Sequence, residues 1–254
     1  MPIKRWNPKN ALVSMARIFA IYAILCCILF FVQRSLLFHP THHSQQRGLA
    51  PWREDGQIIG QCRELEQPNA IWLMMHGNAG QASDRDYILD HISSDTSLYV
   101  LEYPGYGERT GRPSQQAFNS AAIDAYGRLR KKYPNLKIGV IGESIGSGPA
   151  SMLTQLPNPP DKLILVVPFD TLYSVAARRM FFLPVWLLLL DRWDNIQAMG
   201  KYTGPIEIYG AKQDDVIPCM HAKNLADHYP NARFVDLECG HNDWPLLSDI
   251  QFQH

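Results

Sequence analysis

Hydrophobic positions along the chain fall into three regimes. From Ile18 to Val32 they run without a charge, and back to Ala11 only Ser14 and Arg17 interrupt them. As one helix, residues 11–32 would rise about 33 Å, enough for a hydrocarbon core of roughly 30 Å. Ile18 to Val32 alone is short. The span must take in Arg17 near one interface, where it can snorkel, or run past Arg34 to Phe38. No small-residue cleavage pattern follows Val32, and Leu25 before Cys26 does not suit a lipoprotein signal. The segment is apolar on all faces, unlike an amphipathic core helix. Residues 1–38 therefore read as an uncleaved membrane anchor. Residues 39–56, with Pro40, Gly48 and Pro51, read as a polar juxtamembrane connector.

The second regime begins at about residue 57, where short apolar runs alternate with helical spacing. Strands are expected at Ile58–Glu64, Ala70–Met75, Ser97–Tyr103, Lys137–Ile141, Lys162–Val167, Pro205–Tyr209 and Ala232–Leu237. Ser114 can cap a helix to Tyr133, with Phe118, Ala121, Ala122, Ala125 and Leu129 on one face. Further helices are expected at Ile145–Leu156 and Pro218–Tyr229. Strands separated by helices imply an α/β domain over 57–254, with a mostly parallel sheet and helices on both faces.

The third regime, residues 168–204, breaks that rhythm. It holds Met180-Phe181-Phe182-Leu183-Pro184-Val185-Trp186 and then Leu187 to Leu190. About eleven apolar residues around a proline cannot cross a bilayer. The stretch reads as a lid of one or two helices over the carboxyl edge of the sheet, with Phe181, Phe182 and Trp186 facing substrate. An ordinary buried helix is the competing expectation.

Charge removes one class of partner. Lys plus Arg and Asp plus Glu are both 24 in 254 residues, so nothing electrostatic points to nucleic acid. Lys4, Arg5 and Lys9 precede the apolar span, whereas Arg34, Arg47 and Arg53 follow it. That small bias favours an inside N-terminus and a domain on the non-cytoplasmic side. Five cysteines, two of them in the anchor, make no disulfide framework.

The chemistry lies in the turns after the strands. Gly142-Glu143-Ser144-Ile145-Gly146 joins an expected strand to an expected helix, the setting of a nucleophile elbow. Small residues two positions either side let the backbone fold back and leave the Ser144 Oγ exposed. A serine needs a base, and the base an orienting acid. Asp214 and Asp215 follow one later strand, and His241 follows the last. Loops at strand carboxyl ends converge above the sheet, where Ser144 would point. Developing oxyanion charge needs preorganised donors. The expected pair is the backbone N–H of Ile145 and that of Asn78, in the turn after Met75. His76 is read as shaping that turn, and His91 as a helix-surface residue.

His76-Gly77-Asn78-Ala79-Gly80, Tyr103-Pro104-Gly105-Tyr106-Gly107, the Ser144 pentapeptide, Asp214-Asp215-Val216-Ile217-Pro218 and Gly240-His241-Asn242-Asp243 together resemble the α/β-hydrolases. The nearest branch is the single-span, membrane-tethered serine hydrolases related to protein-depalmitoylating α/β-hydrolase-domain proteins and serine peptidase-like relatives. The resemblance covers roughly residues 30–250, and Gln33–Phe38 is similar to that branch's exit from the membrane. It implies Asp214 rather than Asp215 as the acid, and no metal or organic cofactor. It also implies hydrolysis of an ester or thioester, in a lipid or lipidated protein, through an acyl-serine. A peptidase using the same triad is the alternative, and an inactive membrane scaffold a more distant one. The chain departs from the family in ending soon after His241, which leaves room for only a short last helix.

Overall fold

The computed structural model describes residues 8–43 and 48–254. Lys4, Arg5 and Arg47, used above to orient the anchor, lie outside them. Among the described residues eight strands form one sheet: β1 Ala50–Glu54, β2 Gln57–Arg63, β3 Ala70–Met75, β4 Thr96–Leu101, β5 Lys137–Glu143, β6 Lys162–Val166, β7 Ile206–Ala211 and β8 Ala232–Leu237. Their order is β1-β2-β4-β3-β5-β6-β7-β8. Only β2 runs antiparallel to its neighbours, β1 and β4. From β4 onward every pairing is parallel. The central strand β3 is buried along its whole length. Ile71, Leu73 and Met75 face one core, and Trp72 and Met74 the other. A parallel strand covered by helices on both sides needs that continuous apolar run.

The edge differs from the sequence reading. Strand β1 falls inside the stretch read as a connector. It is short, carries Pro51, Arg53 and Glu54, and is held by a hairpin through Asp55 and Gly56, both at positive φ. The rest of that stretch is pinned to the domain. Thr41 N donates to Gly80 O at 3.2 Å, and Gly107 N donates to Thr41 O at 2.9 Å.

Among the described residues, seven α-helices accompany the sheet: α1 Pro8–Leu37, α2 Gln115–Lys132, α3 Ser147–Met152, α4 Leu172–Arg179, α5 Val185–Leu188, α6 Asn195–Met199 and α7 Met220–Asp227. Ser114 caps α2 by accepting from Ala117 N. Helix α1 carries one apolar stretch long enough to cross a membrane. Its end is built into the domain: Phe38 is 4% exposed and packs on Phe118 and Trp193. Phe38→Ala should destabilise the protein by about 3–5 kcal/mol, as for other buried phenylalanines. Denaturant unfolding of the full chain in detergent would measure the loss. A change below about 1 kcal/mol would mean that α1 only tethers.

Two further expectations are corrected. His91 is buried, not on a helix surface. Its ring lies within 3.0 Å of Ile250 O and 3.1 Å of Pro245 O, and Phe252 N donates to His91 O at 2.7 Å. Beyond a short 3-10 turn at Trp244–Leu246, the C-terminal segment is packed against this histidine, with Ile250 and Phe252 in the core. In the cap over residues 168–204, formed by α4, α5 and α6, Phe181 is 83%, Phe182 58% and Trp186 65% exposed. These three are not core residues, so the buried-helix expectation does not describe this segment.

Candidate active site

Strand β5 ends at Glu143 and the chain reverses at Ser144, whose φ is +52°. A non-glycine residue in that region is strained, and packing holds it there. A Cβ on Gly146 would lie 2.2 Å from Met75 O, and one on Gly142 2.6 Å from the Ala150 Cβ. The two glycines are thus required by close approach. Gly146 also shows that the elbow packs directly against the end of β3, where the turn from His76 begins.

Ser144, Asp214 and His241 are all buried and converge above the sheet. The Ser144 Oγ is 2.9 Å from His241 Nε2. His241 Nδ1 is 2.6 Å from Asp214 Oδ2. The other oxygen of Asp214 accepts from Val216 N at 2.8 Å and Ile217 N at 2.7 Å. A carboxylate at Nδ1 keeps the ring proton there and leaves Nε2 as an acceptor for the serine proton. Asp215 is exposed, and its backbone oxygen accepts from Arg179 of the cap. Of the two adjacent aspartates, only Asp214 reaches the histidine.

Asn78 is fixed by its side chain. Its Nδ2 donates to Leu37 O, and its Oδ1 accepts from His39 N at 3.3 Å and from the Tyr106 hydroxyl at 2.9 Å. The last turn of α1 therefore holds the loop whose backbone N–H was expected to face the oxyanion. Ile145 directly follows the serine in the turn that leads into α3. His76 is fully buried, with Nδ1 2.7 Å from Gly77 O and its ring centroid 4.4 Å from that of Tyr103. That setting suits a residue that shapes the turn.

Glu143 is a site residue that the sequence did not single out. It is buried beside the serine and accepts from Gly77 N at 2.9 Å, the Tyr87 hydroxyl at 2.9 Å and Trp244 Nε1 at 3.0 Å. One carboxylate thus joins the elbow, the Asn78 turn and the loop after His241. Burial alone would raise its pKa. The charge of Arg85 and the Gly77, Tyr87 and Trp244 donors outweigh burial and hold the carboxyl below its ordinary value. A depressed folded pKa contributes stability that is present above the unfolded value, about 4.3, and lost as pH falls through the folded one. Glu143→Gln should lower kcat on the order of tenfold with little change in KM, because it loosens both turns. It should also flatten the fall of Tm in acid below about pH 4. An unchanged kcat would remove Glu143 from the machinery.

A second buried acid–histidine pair lies near the base of the cap. Asp170, just beyond β6, is 2.9 Å from His221 Nδ1 and accepts from Asn224 Nδ2 at 2.7 Å. Burial opposes its ionisation, but His221, the Thr171 N–H and Asn224 hold it below its ordinary value. Its partner is His221 rather than His241. Asn195 of α6 donates to Ser147 Oγ, which donates to Ser144 O at 2.6 Å, tying the cap to the elbow.

No family model matches the sequence. The chain is 32% identical over 180 residues to an uncharacterised Mycobacterium tuberculosis protein, across 69% of this chain and 64% of that one. It is 26% identical over 224 residues to mouse lysophosphatidylserine lipase ABHD12, across 80% of this chain and 54% of the lipase. The chain thus spans less than two thirds of the length of these curated relatives. Among solved structures, the Pyrococcus furiosus esterase Pf2001 superposes with a TM-score of 0.60 over 82% of this chain and 95% of its own, at 12% identity. Identity that low carries the fold alone. The strand order, the strained serine turn at the end of β5 and that superposition agree: the chain has the α/β-hydrolase fold.

Proposed function

We propose that the protein is a membrane-anchored serine hydrolase that cleaves an acyl ester or thioester through an acyl-serine. The observation that carries this is the Asp214–His241–Ser144 relay, with contacts of 2.6 and 2.9 Å. Ser144 Oγ attacks the carbonyl carbon as His241 Nε2 takes its proton. Asp214 stabilises the imidazolium at Nδ1. The carbonyl oxygen, now negative, is met by the N–H groups of Asn78 and Ile145. The tetrahedral intermediate collapses, and His241 hands its proton to the departing oxygen or sulfur. Water, deprotonated by the same ring, then attacks the acyl carbon and frees Ser144.

An apolar substrate is favoured by what surrounds the site. The cap presents Phe181, Phe182 and Trp186 to the outside, and its charged residue beside the Asp214 loop is Arg179. A peptidase pocket for a substrate amine would call for an acidic group instead. The named activity of ABHD12 points the same way. Helix α1 crosses the bilayer in this reading and leaves the catalytic domain on the non-cytoplasmic side.

Hydrolysis of p-nitrophenyl esters from acetate to palmitate tests the proposal. The kcat/KM should rise with chain length, because apolar contact grows by about 0.8 kcal/mol per buried methylene. The triple variant Phe181→Ser, Phe182→Ser, Trp186→Ser should keep its Tm, since all three side chains are more than half exposed, and should flatten that rise. A wild-type enzyme that cleaves peptides but no ester would contradict the proposal.

A further inference from the structure

Helix α1 does more than enter the domain at Phe38; it runs alongside the cap. Arg34 Nε and Nη2 bond both oxygens of Asp191 at 2.8 and 3.1 Å, and Asp191 is buried. Gln33 donates to Leu188 O at 2.9 Å and accepts from Leu190 N at 2.9 Å. Three turns further toward the N-terminus, the Tyr22 hydroxyl donates to Phe182 O at 2.8 Å. Half-buried positions Cys26, Leu29, Phe30, Gln33 and Leu37 recur at helical spacing on the face that meets the cap, whereas Leu12–Ile21 is exposed all round. Cap and helix stay together over about 18 Å, the rise from residue 22 to residue 34.

That register places the cap in lipid. A helix needs about 20 residues to span the hydrocarbon core. Any such window between Ala11 and Leu37 contains Ile18–Phe30, and so contains Tyr22 and the first cap contacts. Cap residues from Phe182 toward Leu188 then lie at the depth of acyl chains. Their side chains suit that depth: Phe181, Phe182, Trp186 and Leu187 are all more than half exposed. Their backbone suits it too, because irregular backbone at that depth must satisfy its polar groups within the protein. Besides the bonds from Tyr22 and Gln33, Arg192 of the cap donates to Trp186 O at 2.8 Å and Leu189 O at 2.5 Å. Leu183 N donates to Met180 O and Leu187 N to Pro184 O, each at 2.9 Å.

Between helix and cap lies an apolar slot of about 220 Å³, walled by Leu29, Leu36 and Leu37 on one side and by Val175, Met180 and Leu183 on the other. That volume is below the roughly 300–1,000 Å³ of a drug-sized ligand's site and suits one narrow chain. The slot adjoins the catalytic loops at two points. Leu37 O holds Asn78, and Arg179, also on the slot wall, bonds the backbone of Asp215 and Val216 beside Asp214. We propose that this slot is the acyl-chain site, that α1 forms one of its walls, and that it fills directly from the leaflet with the fatty chain of a membrane lipid ester. The membrane anchor is then part of the substrate site. The inference rests on the hydrolase reading above and on α1 spanning the bilayer.

The test uses the full chain reconstituted in phosphatidylcholine vesicles, with Ala176→Trp placing a ring in the slot and Leu12→Trp as a control on the exposed part of α1. Each methylene shut out of an apolar site costs about four-fold in binding. The palmitate-to-acetate ratio of kcat/KM for p-nitrophenyl esters should fall at least about 30-fold in Ala176→Trp and stay unchanged in Leu12→Trp. An unchanged ratio in Ala176→Trp, with ester turnover intact, overturns the inference. A second measurement needs no turnover. In Ser144→Ala protein, a phospholipid carrying a terminal diazirine on its acyl chain should crosslink to both walls, at peptides covering 29–37 and 172–183. Crosslinks confined to the exposed face of α1 would mean only surrounding lipid and would overturn it. Crosslinks to both walls, when the wild-type protein cleaves no ester, would uphold the slot and sink the hydrolase reading instead.

Discussion

Ser144→Ala should lower ester turnover by at least about 10³-fold, because what survives comes only from binding and from the oxyanion donors. The fold should be unaffected. Among the described residues the removed atom bonds only the His241 ring, at 2.9 Å, and the strained φ of +52° is set by the glycines and the end of β3 around it. The informative measurement is therefore a pair: kcat/KM on a short and a long ester, and Tm on the same preparation. Loss of activity with an unchanged Tm is the expected result. Activity above a tenth of wild type would take the nucleophile's role away from Ser144.

Asp214→Asn should cost at least about 10²-fold in kcat while Asp215→Asn costs less than about threefold. The asparagine can still accept from Val216 N and Ile217 N, the bonds that hold the loop at 2.8 and 2.7 Å. It cannot stabilise an imidazolium, and its amide can turn an N–H toward the ring and favour the wrong tautomer. Asp215 faces solvent, and its backbone oxygen accepts from Arg179. Equal losses at the two positions would mean that the loop itself, rather than one carboxylate, supports catalysis.

Much of the sheet is legible in the sequence. Strand β3 stands where the apolar run puts it, at Ala70–Met75. Buried parallel strands must be apolar on both faces, so their limits are sharp. Strand β1 is not legible, because an edge strand can carry charge and proline and still pair through its backbone. Its one signal is Asp55-Gly56, a hairpin dipeptide ahead of β2. The serine, acid and histidine stand out as residues on successive turns after strands. The choice between Asp214 and Asp215 rests on side-chain direction, which spacing cannot give. Glu143 is hidden for a different reason. Its partners Gly77, Tyr87 and Trp244 lie on three separate segments, 66, 56 and 101 positions away.

The N-terminal helix α1 is the element whose surroundings depart most from the sequence reading. A run of apolar residues specifies a span and says nothing about which face is occupied. Gln33 and Arg34 look like an exit from the membrane until their partners appear at Leu188, Leu190 and Asp191, about 155 positions along the chain. The break in the strand–helix rhythm marks the cap at 168–204, but periodicity does not give its interior. Phe181, Phe182 and Trp186 share no helical face: the intervening chain is a turn around Pro184, and α5 covers only Val185–Leu188.

The central claim is that Ser144 is a nucleophile made reactive by His241. Incubating the full-length protein with an alkyl fluorophosphonate, followed by peptide mass spectrometry, tests it most directly. The account predicts one adduct, on the peptide holding Gly142-Glu143-Ser144-Ile145-Gly146, lost in Ser144→Ala and slowed at least about 10²-fold in His241→Ala. Labelling at another serine, or at Ser144 with equal speed when His241 is gone, would contradict it.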